Sequence, residues 1–194
     1  NQHRKKKQKI ILIDIGTGSG CIPIAIAREK ICQTKIAKNE LQIFASDISK
    51  KALKVAQKNA EKHGACIAFS KGNLLKPHKK TLSSCAADEA EIILTANLPY
   101  LTKEQFDNEP SIQKEPRSAL IANDNGLALY KKLLEQFKLL VTVQSLQATL
   151  FMEIDPSQGE IFTSYIESTL PSAKVIMHKD LREEDRIAEI QWRI

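Results

Sequence analysis

Four consecutive residues, Asn97-Leu98-Pro99-Tyr100, carry the groups in this chain best suited to chemistry. The Asn side chain offers a carbonyl acceptor. The backbone carbonyl of Leu98 offers a second, and Tyr100 presents a flat ring. Two acceptors and a stacking face suit a planar –NH2 group, because they can hold its two hydrogens and cover its plane. Pro99 fixes the turn. The four residues follow Ile92-Ile93-Leu94-Thr95-Ala96, an apolar run that reads as a buried strand. They therefore stand at a strand's C-terminal end, where open α/β sheets bind ligands. Alone, they also read as a strand-ending turn with a packed Tyr.

A second constellation lies upstream. Asp14-Ile15-Gly16-Thr17-Gly18-Ser19-Gly20 joins an expected strand to an expected helix. Glycines allow a sharp turn and let a ligand lie against bare peptide. The spacing is G-x-G-x-G, not the dinucleotide G-x-G-x-x-G, and the Lys-Ser/Thr of a P-loop is missing. Asp47 ends the second expected strand, where a carboxylate can accept from both hydroxyls of a ribose; it also reads as a favourable charge at a helix N-terminus. Asn73 follows the third strand, where an amide can bind the edge of an adenine while Leu74 packs on its face; it also reads as an ordinary turn residue.

Alternating strand and helix patterns must position these groups. Ile10 to Ile15 is a near-continuous β-branched run, as in a strand buried on both faces. A helix is expected from about Pro23 to Ile31, with Pro23 in its first turn. Leu41 to Ser46 reads as the second strand. Ser49 should cap a helix with the apolar face Ala52, Val55, Ala56 and Ala60, and Gly64 should end it. Ala65 to Phe69 reads as the third strand, residues 78–90 as a polar loop, and 91–96 as the fourth strand. Residues 101–122 form a long charged connection of the kind that is often functional. Tyr130, Leu133, Leu134, Phe137, Leu140 and Val141 mark a helix by their spacing. Ala148 to Ile154 is a fifth strand, Ile161 to Leu170 a last helix, and Lys174–His178 with Ile187–Ile194 an antiparallel hairpin. Repeated β-α units imply a mostly parallel sheet with helices on both faces.

Composition narrows the class. At 194 residues the chain suits one full domain. No apolar run approaches the ~20 residues that span a bilayer, and no signal peptide is visible, so no membrane partner is expected. The net charge is +6, much of it in His3-Arg4-Lys5-Lys6-Lys7-Gln8-Lys9. That run reads as a basic linker or tail over residues 1–9, able to touch nucleic acid weakly. The four cysteines form no C-x-x-C pair and the four histidines are scattered, so no metal site is expected. Free thiols fit a reducing cytoplasm.

The glycine loop, the ribose acid, the polar residue after the third strand and Asn-x-Pro-Tyr, in this order, resemble a class I S-adenosylmethionine-dependent methyltransferase. This implies a Rossmann-like α/β fold with a seven-stranded sheet. It also implies S-adenosylmethionine as cofactor and S-adenosylhomocysteine as product. The implied cofactor-binding set is Asp14, Gly16, Thr17, Gly18, Ser19, Gly20, Asp47, Ile48, Asn73, Leu74 and Asn97; the catalytic candidates are Asn97, Pro99 and Tyr100, with Leu98 beside them in the substrate-binding set. Asn-Leu-Pro-Tyr is similar to the motif of the rRNA adenine dimethyltransferases. The release-factor glutamine N5-methyltransferases (the PrmC/HemK family) usually read Asn-Pro-Pro-Tyr. Four further segments resemble the second family: Glu115-Pro116-Arg117-Ser118-Ala119-Leu120, Asn125 to Tyr130, Phe151-Met152-Glu153-Ile154, and Lys179-Asp180-Leu181 with Asp185-Arg186. Two positions depart from its pattern, Asn73 for the usual Asp and Asp155 for a common Gly. The resemblance runs from Ile10 onward and implies a catalytic domain over residues 10–194. It further implies an upstream helical domain that is absent here and a glutamine-bearing loop of a peptide chain release factor as partner. The expected protein is a cytoplasmic monomer. An rRNA or DNA adenine N6-methyltransferase and a silent cofactor-binding partner subunit remain the alternatives.

Overall fold

The computed structural model describes residues 9–32, 40–88, 90–144 and 146–193. The basic run of residues 3–8 lies outside these. Seven strands form one sheet in the order β3-β2-β1-β4-β5-β7-β6: β1 (Ile10–Ile15), β2 (Leu41–Asp47), β3 (Ala68–Lys71), β4 (Glu91–Ala96), β5 (Ala148–Glu153), β6 (Lys174–Lys179) and β7 (Asp185–Trp192). The first five are parallel; β7 inserts between β5 and β6, antiparallel to both. The expected fold class is therefore observed, hairpin included.

Between the strands run α1 (Cys21–Cys32), α2 (Lys50–Lys62), α3 (Lys79–Asp88), the short α4 (Lys103–Asn108) and α5 (Arg117–Leu120), α6 (Ala128–Gln144) and α7 (Gly159–Thr169). β1 separates two cores, as its nearly continuous apolar run requires. Leu12 packs with Ala27 and Ile43 on one side. Ile11, Ile13 and Ile15 join the larger core of Tyr130, Leu133, Phe137, Phe162 and Ile166 from α6 and α7 on the other.

Three sequence expectations are corrected. Residues 78–90 are not a loop: a 3-10 turn at Lys76–His78 leads into α3. Among the described side chains of that helix only Leu82 is buried, beside exposed Lys79, Lys80, Ser83 and Ser84, so the segment carries little readable periodicity. Two of its serines donate back to the carbonyls of Lys79 and Thr81. The apolar face of α2 is Leu53, Ala56 and Ala60, while Val55 is 48 % exposed. β3 begins three residues later than the sequence suggests, because Ala65 belongs to the end of α2. Its N–H donates to Ala60 while that of Gly64 donates to Glu61, the paired bonds of a glycine helix end.

Candidate active site

The strand order reverses direction between β1 and β4, so the segments following these two strands part company at the sheet's C-terminal edge. A crevice at such a point is where open α/β sheets bind ligands. Register delivers the candidates there. Ile15 pairs with Ser46 and with Ala96, and Ala96 pairs with Met152. One step further along each strand stand Gly16, Asp47, Asn97 and Glu153.

The glycine loop is built for close approach. Gly16, Gly18 and Gly20 all have positive φ. A Cβ on Gly16 would lie 2.6 Å from the Leu98 side chain, and one on Gly20 3.1 Å from Ala56, whereas one on Gly18 would meet nothing within 4 Å. The loop thus packs on its neighbours at both ends and faces open space at its tip. Asp47 holds that tip: its Oδ2 accepts from the Gly18 N–H at 2.9 Å and its Oδ1 from the Ser49 N–H at 2.7 Å. These bonds place Asp47 at the N-terminal end of α2, which Ser49 caps, as the helix-terminus reading expects. Asn59 donates to the Ser19 carbonyl and steadies the loop's exit.

Beneath the loop, Asp14 is 1 % exposed. Its Oδ1 accepts from the Thr95 hydroxyl at 2.6 Å, while Oδ2 takes no hydrogen bond of good geometry. Burial pushes its pKa up to about 6, against the pull of the Thr17 and Thr95 hydroxyls. Ile48 is 67 % exposed beside Asp47, an apolar side chain left open at the crevice. Asn73 is half-buried in the turn after β3. Leu74, at φ 54°, turns into the main core and keeps little surface for a ligand.

On the β4 side, Asn97 is exposed and Tyr100 half-buried. Asn97 Nδ2 donates to Glu153 Oε2 at 2.8 Å, and the Tyr100 hydroxyl donates to Glu153 Oε1 at 3.2 Å. Burial raises the Tyr100 pKa first, and the Glu153 carboxylate raises it further. Tyr130, fully buried on α6, knots the same strand ends. Its hydroxyl accepts from the Leu98 N–H at 3.1 Å and lies against the carbonyls of Leu98 and Glu153. Burial raises its pKa, so it stays a donor. Buried Gln158 donates to the Tyr100 and Asn125 carbonyls at 2.9 and 2.8 Å.

Glu153, Tyr130 and Gln158 escape sequence reasoning as site residues. They lie 23 to 58 positions from their partners, and only the pairing of β4 with β5 joins them. The one available signal was a polar residue ending each of two adjacent apolar strands. No group of three or more His, Cys, Asp or Glu side chains suited to a metal occurs among the described residues.

A doubly wound sheet with a glycine loop after β1, a carboxylate ending β2 and an antiparallel β7 between β5 and β6 has the architecture of a Rossmann-like class I methyltransferase domain. The chain belongs to the methyltransferase domain family, whose model matches residues 6–114. It is 34 % identical over 180 residues to the release factor glutamine methyltransferase of Bacillus subtilis, covering 92 % of this chain and 57 % of that protein. It is 33 % identical over 185 residues to the protein of that name from Staphylococcus aureus, covering 93 % and 60 %. The chain thus spans about three fifths of the length of these curated relatives. Among solved structures, a Pyrococcus furiosus methyltransferase superposes with a TM-score of 0.58 at 12 % identity, over 97 % of this chain and 77 % of that one. The N-terminal domain of human METTL16 in complex with SAH gives 0.56 at 18 %, over 98 % and 64 %. These two establish the fold alone.

The cofactor of this family is S-adenosylmethionine. The groups present fit it. The open tip at Gly18 accepts close backbone contact, the Asp47 carboxylate retains lone pairs beyond its two amide bonds, and Ile48 offers an exposed apolar face. The buried Asp14 carboxylate, with one oxygen unbonded, suits a cationic ligand.

Proposed function

We propose that this chain is the catalytic domain of a methyltransferase acting on the side-chain amide nitrogen of a glutamine in peptide chain release factors. The observation that carries this reading is the extent of the similarity. Relatives named release factor glutamine methyltransferase align over more than nine tenths of the chain. A match over 92–93 % of the chain must include residues 115–130, which lie outside the general methyltransferase match. A cytoplasmic setting belongs to the same reading, and the exposed thiols Cys21 and Cys66 are free.

Asp14, Gly16, Thr17, Gly18, Ser19, Gly20, Asp47, Ile48 and Asn73 would hold the cofactor, which supplies an electrophilic methyl group on a sulfonium. The acceptor is the harder partner, because an amide nitrogen delocalises its lone pair into the carbonyl. Positioning answers this. The Asn97 side-chain oxygen and the Leu98 carbonyl accept the two hydrogens of the target –NH2 and turn its lone pair outward from them. The same two acceptors favour the positive charge that develops on nitrogen. Pro99 holds the turn, and the Tyr100 ring covers the acceptor's plane.

Incubating the full-length protein with methyl-labelled cofactor and either release factor or rRNA tests the reading. Label should enter the release factor at a glutamine. Label in rRNA instead would favour the adenine reading that Leu98 suggests, and label in neither would favour a silent binding module. Asn97→Ala should lower turnover by about 100-fold or more and leave cofactor affinity by calorimetry unchanged. Asp47→Ala should weaken that affinity.

A further inference from the structure

Asn97 has an ambiguity that the proposed chemistry cannot tolerate. Its side chain ends in one acceptor and one donor of nearly equal size, and a half-turn about the terminal bond exchanges them. Only one orientation offers an acceptor to a –NH2 group. The other sets N–H against N–H and repels the substrate. Exposed on a turn, the amide has no packing to choose for it.

We propose that Glu153 is a positioning residue that locks the Asn97 amide with its oxygen toward the substrate. The proposal rests on the function given above. An ionised carboxylate can only accept hydrogen bonds, so whichever end of the amide faces it must be the –NH2. Glu153 Oε2 lies 2.8 Å from Asn97 Nδ2. The flipped amide would press its own oxygen against that carboxylate oxygen. Asn97 Oδ1 therefore points away from Glu153 and takes no hydrogen bond from the described residues.

The second oxygen of the same carboxylate accepts the Tyr100 hydroxyl at 3.2 Å. One side chain thereby sets both the amide that reads the acceptor's hydrogens and the ring that covers its plane. Glu153 is itself held from three directions. Its backbone pairs with Ile187 of β7, its carbonyl meets the Tyr130 hydroxyl, and the Arg186 guanidinium lies near enough to feel its charge. Arg186 is fixed in turn by the Asp180 carboxylate and the Ile154 carbonyl. Asp180 also accepts from the N–H groups of Arg182 and Glu184. The hairpin segment 179–186 thus acts as a buttress behind Glu153.

A charge swap tests the lock. In Glu153→Gln the partner can present either a carbonyl or an –NH2, so the amide loses its single orientation. The turnover number should fall at least tenfold, with melting temperature and cofactor affinity unchanged. Asn97→Asp sets two carboxylates against each other and should fall further. In the double variant Asn97→Asp/Glu153→Gln the Gln –NH2 donates to one Asp oxygen and leaves the other as an acceptor. It should recover at least tenfold over Asn97→Asp alone. Additive losses, or wild-type turnover in Glu153→Gln, would overturn the proposal. An independent readout is the pair of Asn97 side-chain –NH2 resonances by ¹⁵N NMR, which should move in Glu153→Gln. If they stay in place, the lock does not exist. If they move but the wild type methylates neither release factor nor rRNA, the functional reading fails and the lock stands.

Discussion

Leu98 stands where the release-factor family usually places proline, and its neighbours show what the difference costs. Its N–H donates to the buried Tyr130 hydroxyl at 3.1 Å, a bond that proline cannot make. Its side chain is 5 % exposed and lies over Gly16, so that a Cβ there would come within 2.6 Å of it. Leucine thus adds a hydrogen bond and a lid on the glycine loop, while the chemistry proposed for this position uses only its carbonyl. Leu98→Pro should lower stability by about 1–3 kcal/mol, from one lost buried bond and a partial cavity, and leave turnover within about tenfold of wild type. Chemical denaturation and a methyl-transfer assay measure the two separately. Turnover lost from a folded variant would show that the side chain carries the role assigned to the carbonyl.

At the scale of elements, the segment after β4 is a strap tied down along its length. The Leu101 N–H donates to Leu120 and the Ala122 N–H to Leu101, closing a small parallel bridge. Gln158, from the far side of β5, ties the Tyr100 and Asn125 carbonyls together. At that knot stands Gly126, with φ 82° and no room: a Cβ would lie 1.8 Å from the Tyr100 carbonyl oxygen. Gly126→Ala should therefore displace Tyr100, cutting turnover sharply while the separate glycine loop keeps its cofactor affinity. Equal losses in both would mean that the strap also supports the loop. The contrast between strap and strands explains what could be read in advance. β1, β4 and β5 announce themselves as apolar runs, and Asn97 and Asp47 as polar residues at strand ends, because those patterns are local. The face of α2 was misread by a fraction of a turn, since Val55 and Leu53 are equally apolar and only packing selects Leu53. Glu153, Tyr130 and Gln158 could not be read as neighbours of Asn97–Tyr100, because those contacts form only after distant elements have packed.

Over the whole molecule, two buried titratable groups, one on β1 and one in the turn before α3, set opposing pH dependences. Burial raises Asp14 to about 6 from an ordinary 3.8. The folded protein holds this proton more tightly than the unfolded chain between those values, so stability falls as pH rises from about 4 to about 6. His78 is 1 % exposed, its Nε2 without a partner and its ring edge-on to Phe44, and burial lowers it to about 4 from 6.5. Here the folded protein holds the proton less tightly, so stability is complete above about 6.5 and is lost as pH falls toward 4. Each group contributes at most about 3 kcal/mol, and in the wild type the two largely offset each other over the same window. Single substitutions separate them. Relative to wild type, Asp14→Asn should raise the melting temperature at pH 7 by several degrees, about 2–4 °C per kcal/mol, and change it little at pH 4. His78→Leu should behave in reverse, with its relative benefit appearing near pH 4 and vanishing above 6.5. Comparing each variant with wild type at the same pH cancels the surface carboxylates common to both. Shifts that do not vary with pH would show that neither group titrates where its burial requires. If Asp14→Asn gains stability at pH 7 while losing cofactor affinity, the buried anion is a cost the fold carries for its cationic ligand.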